Sequence, residues 1–179
     1  MPLSDMVFAS ALKVYSTFSL RRFVGDMQIA KEKEYIDTVP CFASVGHFMQ
    51  REELTSILNE LILKSASPLK EVETDFAVDS SGFSTSRFAR WYSFKHGREM
   101  ASRTWIKAHV ACGVKTNIVT DARLTEAYGN DSPQFPELIK TTARTFQIRE
   151  VSADKAYSSR ENLELVASYG GSAYIPFRS

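Results

Sequence analysis

Two aspartates, Asp79 and Asp154, have the residue type and the positions that metal-dependent chemistry requires. Each ends a stretch typical of a β-strand, residues 72–79 and residues 150–154. Ser80, Ser81 and Gly82 follow the first aspartate, and these residue types predict a sharp turn there. If the two strands are neighbours, both carboxylates lie at one edge of the sheet, where open α/β sheets carry their active sites.

Adjacent carboxylates repel each other unless a cation joins them. Mg²⁺ is the cation we expect, because it accepts one or two carboxylates and completes its shell with water and phosphate oxygens. Mn²⁺ is the natural substitute. The alternative is that each aspartate only caps a turn or a helix. Asp75 and Asp121 are further candidates as decoys or auxiliary ligands, whereas Asp131 is better explained by the start of a helix at Ser132.

The order of predicted elements divides the chain into two regions. Residues 1–67 show helical spacing of apolar residues, with Ser4 and Ser19 as candidate caps. Helices in this region could form a DNA-binding helix-turn-helix or a bundle that only packs. Residues 68–179 read as three strands followed by helix, strand, helix and strand. This order predicts an α/β mixed sheet flanked by helices and matches an RNase H-like core.

Local patterns in the second region predict a strand face, a hairpin and the buried side of a helix. Alternation over residues 72–79 puts Val72, Phe76 and Val78 on one face. A short junction at 113–114 predicts a hairpin between the second and third strands. Ser132 and Pro133 are expected to open a helix. The inward residues of that helix are predicted to be Phe135, Leu138, Ile139, Thr142 and Phe146.

The charge of the chain is nearly neutral, at +1, so bulk charge does not indicate a nucleic-acid partner. Basic residues nevertheless cluster in one short region, which is either a DNA contact or a solvated loop. They are Arg87, Arg90, Lys95, His96, Arg98, Arg103 and Lys107.

The cysteine spacing and the length of the apolar runs indicate the cellular compartment of the protein. Its two cysteines share no metal-binding spacing, which is typical of a reduced intracellular protein. It contains no run of about 18 apolar residues. We therefore expect a cytoplasmic protein with no membrane partner.

Two blocks resemble bacterial insertion-sequence transposases of the DDE type. Residues 78–85 (VDSSGFST), with Arg90 and Trp91 after them, are similar to the block that holds the first aspartate of that family. Residues 151–162 (VSADKAYSSREN) are similar to the block of the second aspartate, with its D-x-x-Y pattern. The opening, residues 5–15, and residues 107–109 and 117–120 also resemble the family.

The resemblance implies an RNase H-like domain that binds two divalent ions between three acidic side chains, of which Asp79 and Asp154 are the first two. It implies cleavage of DNA phosphodiester bonds and strand transfer at the terminal repeats of a mobile element, by a homo-oligomer. The side chains that we expect to contact DNA near the metal ions are Arg87, Arg90, Lys95, Arg98, Lys155 and Arg160.

The third carboxylate is where this chain departs from the family. The family's glutamate lies on a helix after the last strand, and this sequence stops at Ser179, which suggests a truncated chain that does not complete transposition alone. Glu161 and Glu164 lie too early and are expected to be surface residues. Two alternatives stay open: a catalytically silent DNA-binding or assembly remnant of a transposase, and an RNase H-like nuclease.

Overall fold

The structure is a computed structural model that describes residues 1–84 and 105–177. It divides into two compact units, Met1–Leu58 and Asn59–Ser179. The predicted domain boundary at residue 67 stays a prediction. Residues 1–67 contain four α-helices: α1 Leu3–Tyr15, α2 Leu20–Glu32, α3 Phe42–Phe48 and α4 Glu53–Ala66.

The first unit is organised around apolar residues that recur at helical spacing. Ala9, Phe23, Met27 and Val45, from α1 to α3, share one buried cluster. Ser19 is the residue before α2, as predicted, but its side chain makes no capping hydrogen bond, and Ser4 lies inside α1, which begins after Pro2. The prediction that Ser4 caps this helix was therefore wrong.

The second unit contains a five-stranded sheet in the order β3-β2-β1-β4-β5. The strands are β1 Asp75–Ser84, β2 Trp105–Gly113, β3 Val119–Glu126, β4 Glu150–Ala153 and β5 Ser172–Tyr174. The first three strands pair antiparallel, while β4 pairs parallel with both β1 and β5. This confirms the predicted mixed sheet with an RNase H-like order of elements.

Two helices, α5 (Phe135–Ala143) and α6 (Arg160–Ser168), pack against the sheet and complete its core. Alternation along β1 turns Phe76 and Val78 toward this core and Asp79 toward the opposite face. All five residues predicted to face inward from the helix at Ser132 are buried. Their 3–4 residue spacing was therefore a reliable indicator of burial.

Strand β1 differs from its prediction at both ends. It begins at Asp75, and Val72, expected inside, is 53% exposed. It continues past Asp79 to Ser84, so the predicted turn at residues 80–82 was wrong. The reason is long-range: Ser81 and Gly82 pair with Ala108 and Lys107 of β2, and this ladder keeps small turn-forming residues extended.

The connection from β2 to β3 is a turn of several residues built around a buried carboxylate. Glu73 is fully buried, and its Oε2 accepts the N–H groups of Lys115 and Thr116 at 3.0 and 2.9 Å. Asn117 adopts a left-handed φ of 56° in this turn. The side chain of Glu73 thus supplies hydrogen bonds that backbone groups of the turn would otherwise lack.

Within the described ranges 1–84 and 105–177, no helix has the length and apolar character needed to cross a lipid bilayer.

Candidate functional site

Asp79 and Asp154 occupy equivalent positions on neighbouring strands. The parallel ladder between β1 and β4 ends with Val78 opposite Ala153, and the next residue on each side is the aspartate. Adjacent strands lie about 4.8 Å apart, and both aspartates are exposed. The neighbour relation that the site prediction required is therefore present, while the role of the two side chains as metal ligands stays a prediction.

Backbone N–H groups fix the orientation of both carboxylates. The N–H of Ser80 donates to Asp79 Oδ1 at 2.7 Å, and the N–H of Ala156 donates to Asp154 Oδ1 at 2.8 Å. Asp154 also precedes a 3-10 turn, Lys155–Tyr157, as its N-terminal cap. Each carboxylate is therefore oriented by a backbone N–H of its own segment, that of Asp79 within β1 and that of Asp154 at the turn after β4.

Behind the two carboxylates, Tyr157 joins the segments that carry them. Its ring is fully buried, its hydroxyl oxygen lies 3.3 Å from His109 Nδ1, and its phenol lies beside the side chain of Ser80. Burial raises the pKa of the Tyr157 phenol far above its usual range, so the hydroxyl remains protonated at neutral pH. Because Ser80 follows Asp79 and Tyr157 follows Asp154, one buried phenol spans both halves of the site.

His109, on β2, is a core residue. It is fully buried, and Nε2 lies 2.9 Å from Thr125 Oγ1. Burial holds the pKa of His109 below its usual value; the Asp131 carboxylate, whose Oδ1 lies 3.2 Å from Nδ1, opposes this shift. Lys107 Nζ lies 2.6 Å from the same oxygen, so Asp131 is shared between a lysine and a histidine.

Asn162 holds the turn after Asp154 from its other side. Its side chain is 2% exposed, and Nδ2 donates to the carbonyl of Tyr157 at 2.8 Å and to Ser132 Oγ at 3.1 Å. Ser159 caps the same helix by accepting the N–H of Asn162 at 3.1 Å. The start of α6 is thereby tied to the start of the segment that leads into α5.

Asp75 and Asp121, the other candidate metal ligands, each form an ion pair with an arginine. Asp75 forms a two-pronged ion pair with Arg149, which holds the pKa of this carboxyl below its usual value. Asp121 is fully buried within β3, and its Oδ2 accepts from Arg123 Nε at 2.8 Å, while its Oδ1 is buried with no hydrogen-bond partner in the described chain. Both carboxylates are thus paired with neighbouring arginines.

The predicted DNA-contacting residues are only partly within the described chain. Arg87, Arg90, Lys95 and Arg98 lie outside it. Lys155 is exposed directly after Asp154, and the Arg160 side chain is 89% exposed and pairs with Glu164 at 2.6 Å. Glu161 is exposed, so both glutamates on α6 are surface residues, as expected.

The carboxylate oxygens of Asp79 and Asp154 are ligands of the kind that a hard divalent cation prefers. Two exposed carboxylates side by side offer only oxygen ligands, and their mutual repulsion is relieved by a cation between them. In residues 1–84 and 105–177, no group of three or more His, Cys, Asp or Glu side chains could hold a metal ion. Within these ranges the site therefore consists of two carboxylates.

The sequence assigned Asp131 to the start of a helix, and Asp131 does precede the helical turn at Ser132, but its side chain makes no capping hydrogen bond there. Its contacts with Lys107 and His109 were not predicted. The contact between His109 and Tyr157 was not predicted either. Their link could have been found from the register of the hairpin, which sets His109 directly opposite Ser80. The residue opposite Ser80 is expected to contact the side chain that packs beneath the end of β4. The D-x-x-Y spacing places Tyr157 at that position.

A mixed sheet with two aspartates at adjacent positions on neighbouring strands is the arrangement that the sequence analysis expected. The profile of the family described as "Transposase DDE domain" matches residues 70–179, and the chain belongs to that family. Members of this family generally depend on divalent metal ions. No curated protein sequence matches the chain.

Among solved structures, the chain is similar to piggyBac transposase in a synaptic complex with hairpin DNA. The identity is 11%, the TM-score is 0.41, and the match covers 100% of this chain. The chain spans 42% of the length of that protein. A likeness this distant carries no information about what the present chain binds.

Proposed function

We propose that this chain carries part of the catalytic centre of a DNA transposase, in which Asp79 and Asp154 are ligands for Mg²⁺ or Mn²⁺. The observation that supports this most directly is the placement of the two aspartates one residue beyond the paired Val78 and Ala153. In a DDE family member, two acids at that position are the expected first half of the metal site.

Divalent ions, when bound, would neutralise phosphate charge and activate the attacking hydroxyl group. The residues of the chain prepare that chemistry. Asp79 and Asp154 would bind the ions, while the N–H groups of Ser80 and Ala156 hold one oxygen of each carboxylate. Tyr157 would tie the segment after Asp154 to β2 through its contact with His109. The reaction would be cleavage of a DNA phosphodiester bond followed by strand transfer.

DNA is the partner that we propose, with the terminal repeats of a mobile element as the specific sequence. Lys155 follows Asp154 directly and would contact phosphates. Arg160, at the start of α6, would do so as well, because its pair with Glu164 is exposed and therefore weak in water. Arg87, Arg90, Lys95 and Arg98 would add further contacts from the basic region. Assembly as a homo-oligomer, a bacterial source and a cytoplasmic location belong to the same proposal.

The test is a calorimetric titration of the full chain with Mn²⁺. Wild type should bind, and Asp79→Asn and Asp154→Asn should each weaken binding by about tenfold or more, because each removes a charged ligand. Glu161→Gln is the matched control, since it removes an exposed carboxylate of the same unit that lies on α6 and not on the sheet. Equal affinity in all four proteins would contradict the proposal.

A second candidate function is a DNA-binding module without catalysis. It is favoured by the presence of two acids, not three, at the site within the described part of the chain. Such a module would bind DNA equally well in EDTA and in Mg²⁺, and Asp79→Asn would leave its DNA affinity unchanged. Metal-dependent DNA affinity that Asp79→Asn abolishes would favour the transposase centre instead.

A further inference from the structure

A groove of about 560 Å³ lies beside the turn that carries Asp154. Its volume is within the range of about 300–1,000 Å³ that is typical of sites for small organic groups. The walls come from β2, from the connection between β3 and α5, and from the turn after Asp154. Polar and aromatic lining residues are Lys107, Tyr128, Asn130, Asp131 and Ser132, and Ala156 closes one side.

The groove is directly connected to the carboxylate pair. Ala156, which lines it, donates its N–H to Asp154 Oδ1 at 2.8 Å. A second groove, of about 270 Å³, is lined by Gly82, which follows Asp79 by three residues on β1. Lys107 and Tyr128 line both grooves. A strand that reached the two aspartates along either groove would therefore pass Tyr128.

Tyr128 is the most exposed of the large side chains around the site. It is 99% exposed, whereas Tyr157, on the other side of Asp131, is fully buried. A fully exposed ring contributes almost nothing to the core, so packing does not explain an aromatic residue at this position. Its face is available for stacking against a planar group that enters the groove.

The charges in the groove favour a nucleobase over a phosphate. The Lys107 ammonium lies 2.6 Å from Asp131 Oδ1, so its charge is already balanced by a carboxylate. Phosphate binding needs cations that are not neutralised in this way. What remains is the Asn130 amide and the Ser132 hydroxyl, which suit the hydrogen-bonding edge of a base.

We infer that this groove receives an unpaired nucleotide of the DNA strand next to the carboxylate pair, with Tyr128 stacked on its base. The inference rests on the proposed function, since it assumes that DNA reaches Asp79 and Asp154. It adds that the strand must be unstacked at this point, because a base inside a duplex has no free face for Tyr128.

The experiment uses the full chain and a short single-stranded DNA that contains 2-aminopurine, a base whose fluorescence is quenched by stacking. We expect wild type to bind and quench the probe. Tyr128→Ala should weaken binding by about 5- to 100-fold, the range for loss of one stacking aromatic residue, and should abolish the quenching. Tyr128→Phe keeps the ring and should behave as wild type. Tyr169→Ala is the control, because Tyr169 is exposed near the opposite edge of the sheet.

The possible results distinguish failure of the stacking inference from failure of the proposed metal site and DNA partner. Unchanged binding and quenching by Tyr128→Ala would overturn the stacking inference and leave the metal-site proposal intact. If wild type binds Mn²⁺ through Asp79 and Asp154 but binds the fully paired duplex more tightly than the single strand, the inference fails while the metal site stands. Failure of wild type to bind either DNA would overturn both the inference and the DNA partner proposed above.

Discussion

The hydroxyl oxygen of Tyr157 lies 3.3 Å from Nδ1 of His109, although 48 residues separate them in the chain. Tyr157 follows Asp154 by three residues, and His109 is paired across β1 and β2 with Ser80, the residue after Asp79. The contact therefore links strand β1, which carries Asp79, to the turn that carries Asp154 through the protein interior. Displacement of either partner would be transmitted to the separation of the carboxylates.

Removal of the phenol oxygen by Tyr157→Phe tests this link. We expect the second unit to lose about 1–3 kcal/mol of unfolding free energy, because His109 loses a buried polar partner while the ring volume is kept. We also expect Mn²⁺ affinity to fall by about tenfold or more. Urea denaturation followed by the fluorescence or amide signals of the second unit measures the first effect, and calorimetry measures the second.

Tyr169→Phe is the control for that substitution, because Tyr169 is 43% exposed at the end of α6. We expect its effect to stay within about 0.5 kcal/mol. If Tyr157→Phe were equally mild in both measurements, the buried hydroxyl would have no role in positioning the carboxylates.

The β2–β3 turn should depend on the Glu73 carboxylate. Glu73→Ala leaves the N–H groups of Lys115 and Thr116 without their acceptor, so we expect a loss of about 2–4 kcal/mol. Gly113→Ala should also destabilise, by about 1–3 kcal/mol, because a Cβ at this position would collide with the Glu73 side chain.

The two turn substitutions should not be additive. Once Glu73 is alanine, the added methyl of Gly113→Ala has space, and the double variant should be little worse than Glu73→Ala alone. Additive losses in a double-mutant cycle would show that Gly113 is constrained by something other than Glu73.

Gly25→Ala, in the open middle of α2, should stabilise the first unit by about 0.5–1 kcal/mol.

His109 should make the stability of the second unit depend on pH. Burial lowers its pKa in the folded state below the unfolded value of about 6.5. Between these two pKa values the unfolded chain binds more protons, so stability is complete above about pH 6.5. It falls as the pH drops below this value, until the folded pKa is reached. The slope for one group cannot exceed about 1.4 kcal/mol per pH unit.

Urea midpoints between pH 5 and pH 8 measure this dependence. His109→Gln should be less stable at pH 8 yet lose much less stability on acidification, whereas His47→Gln, at an exposed position in the first unit, should keep the wild-type slope. A wild-type slope retained in His109→Gln would assign the dependence to other groups.

Much of the second unit could be predicted from local pattern. The spacing of Phe135, Leu138 and Ile139 identified the buried face of α5, because helical period and burial coincide there. The strand nature of the segments before Asp79 and Asp154 followed from alternation and apolar runs. Their adjacency needed the topology, and the order of elements was enough to suggest it.

What could not be predicted depends on long-range pairing. Ser81 and Gly82 have turn propensity, and only the β2 ladder keeps them extended. The burial of Glu73 and the sharing of Asp131 between Lys107 and His109 are likewise contacts between distant segments. No local pattern encodes them, since each requires the register of the hairpin to be known first.

The central claim is that Asp79 and Asp154 form one metal-binding site. The most direct measurement is NMR paramagnetic broadening during a Mn²⁺ titration of wild type and of the Asp79→Asn, Asp154→Asn double variant. We predict the strongest broadening at the amides of Ser80 and Ala156, and its loss in the double variant. Broadening that is absent, spread evenly over acidic surface residues, or retained in the double variant would contradict the claim.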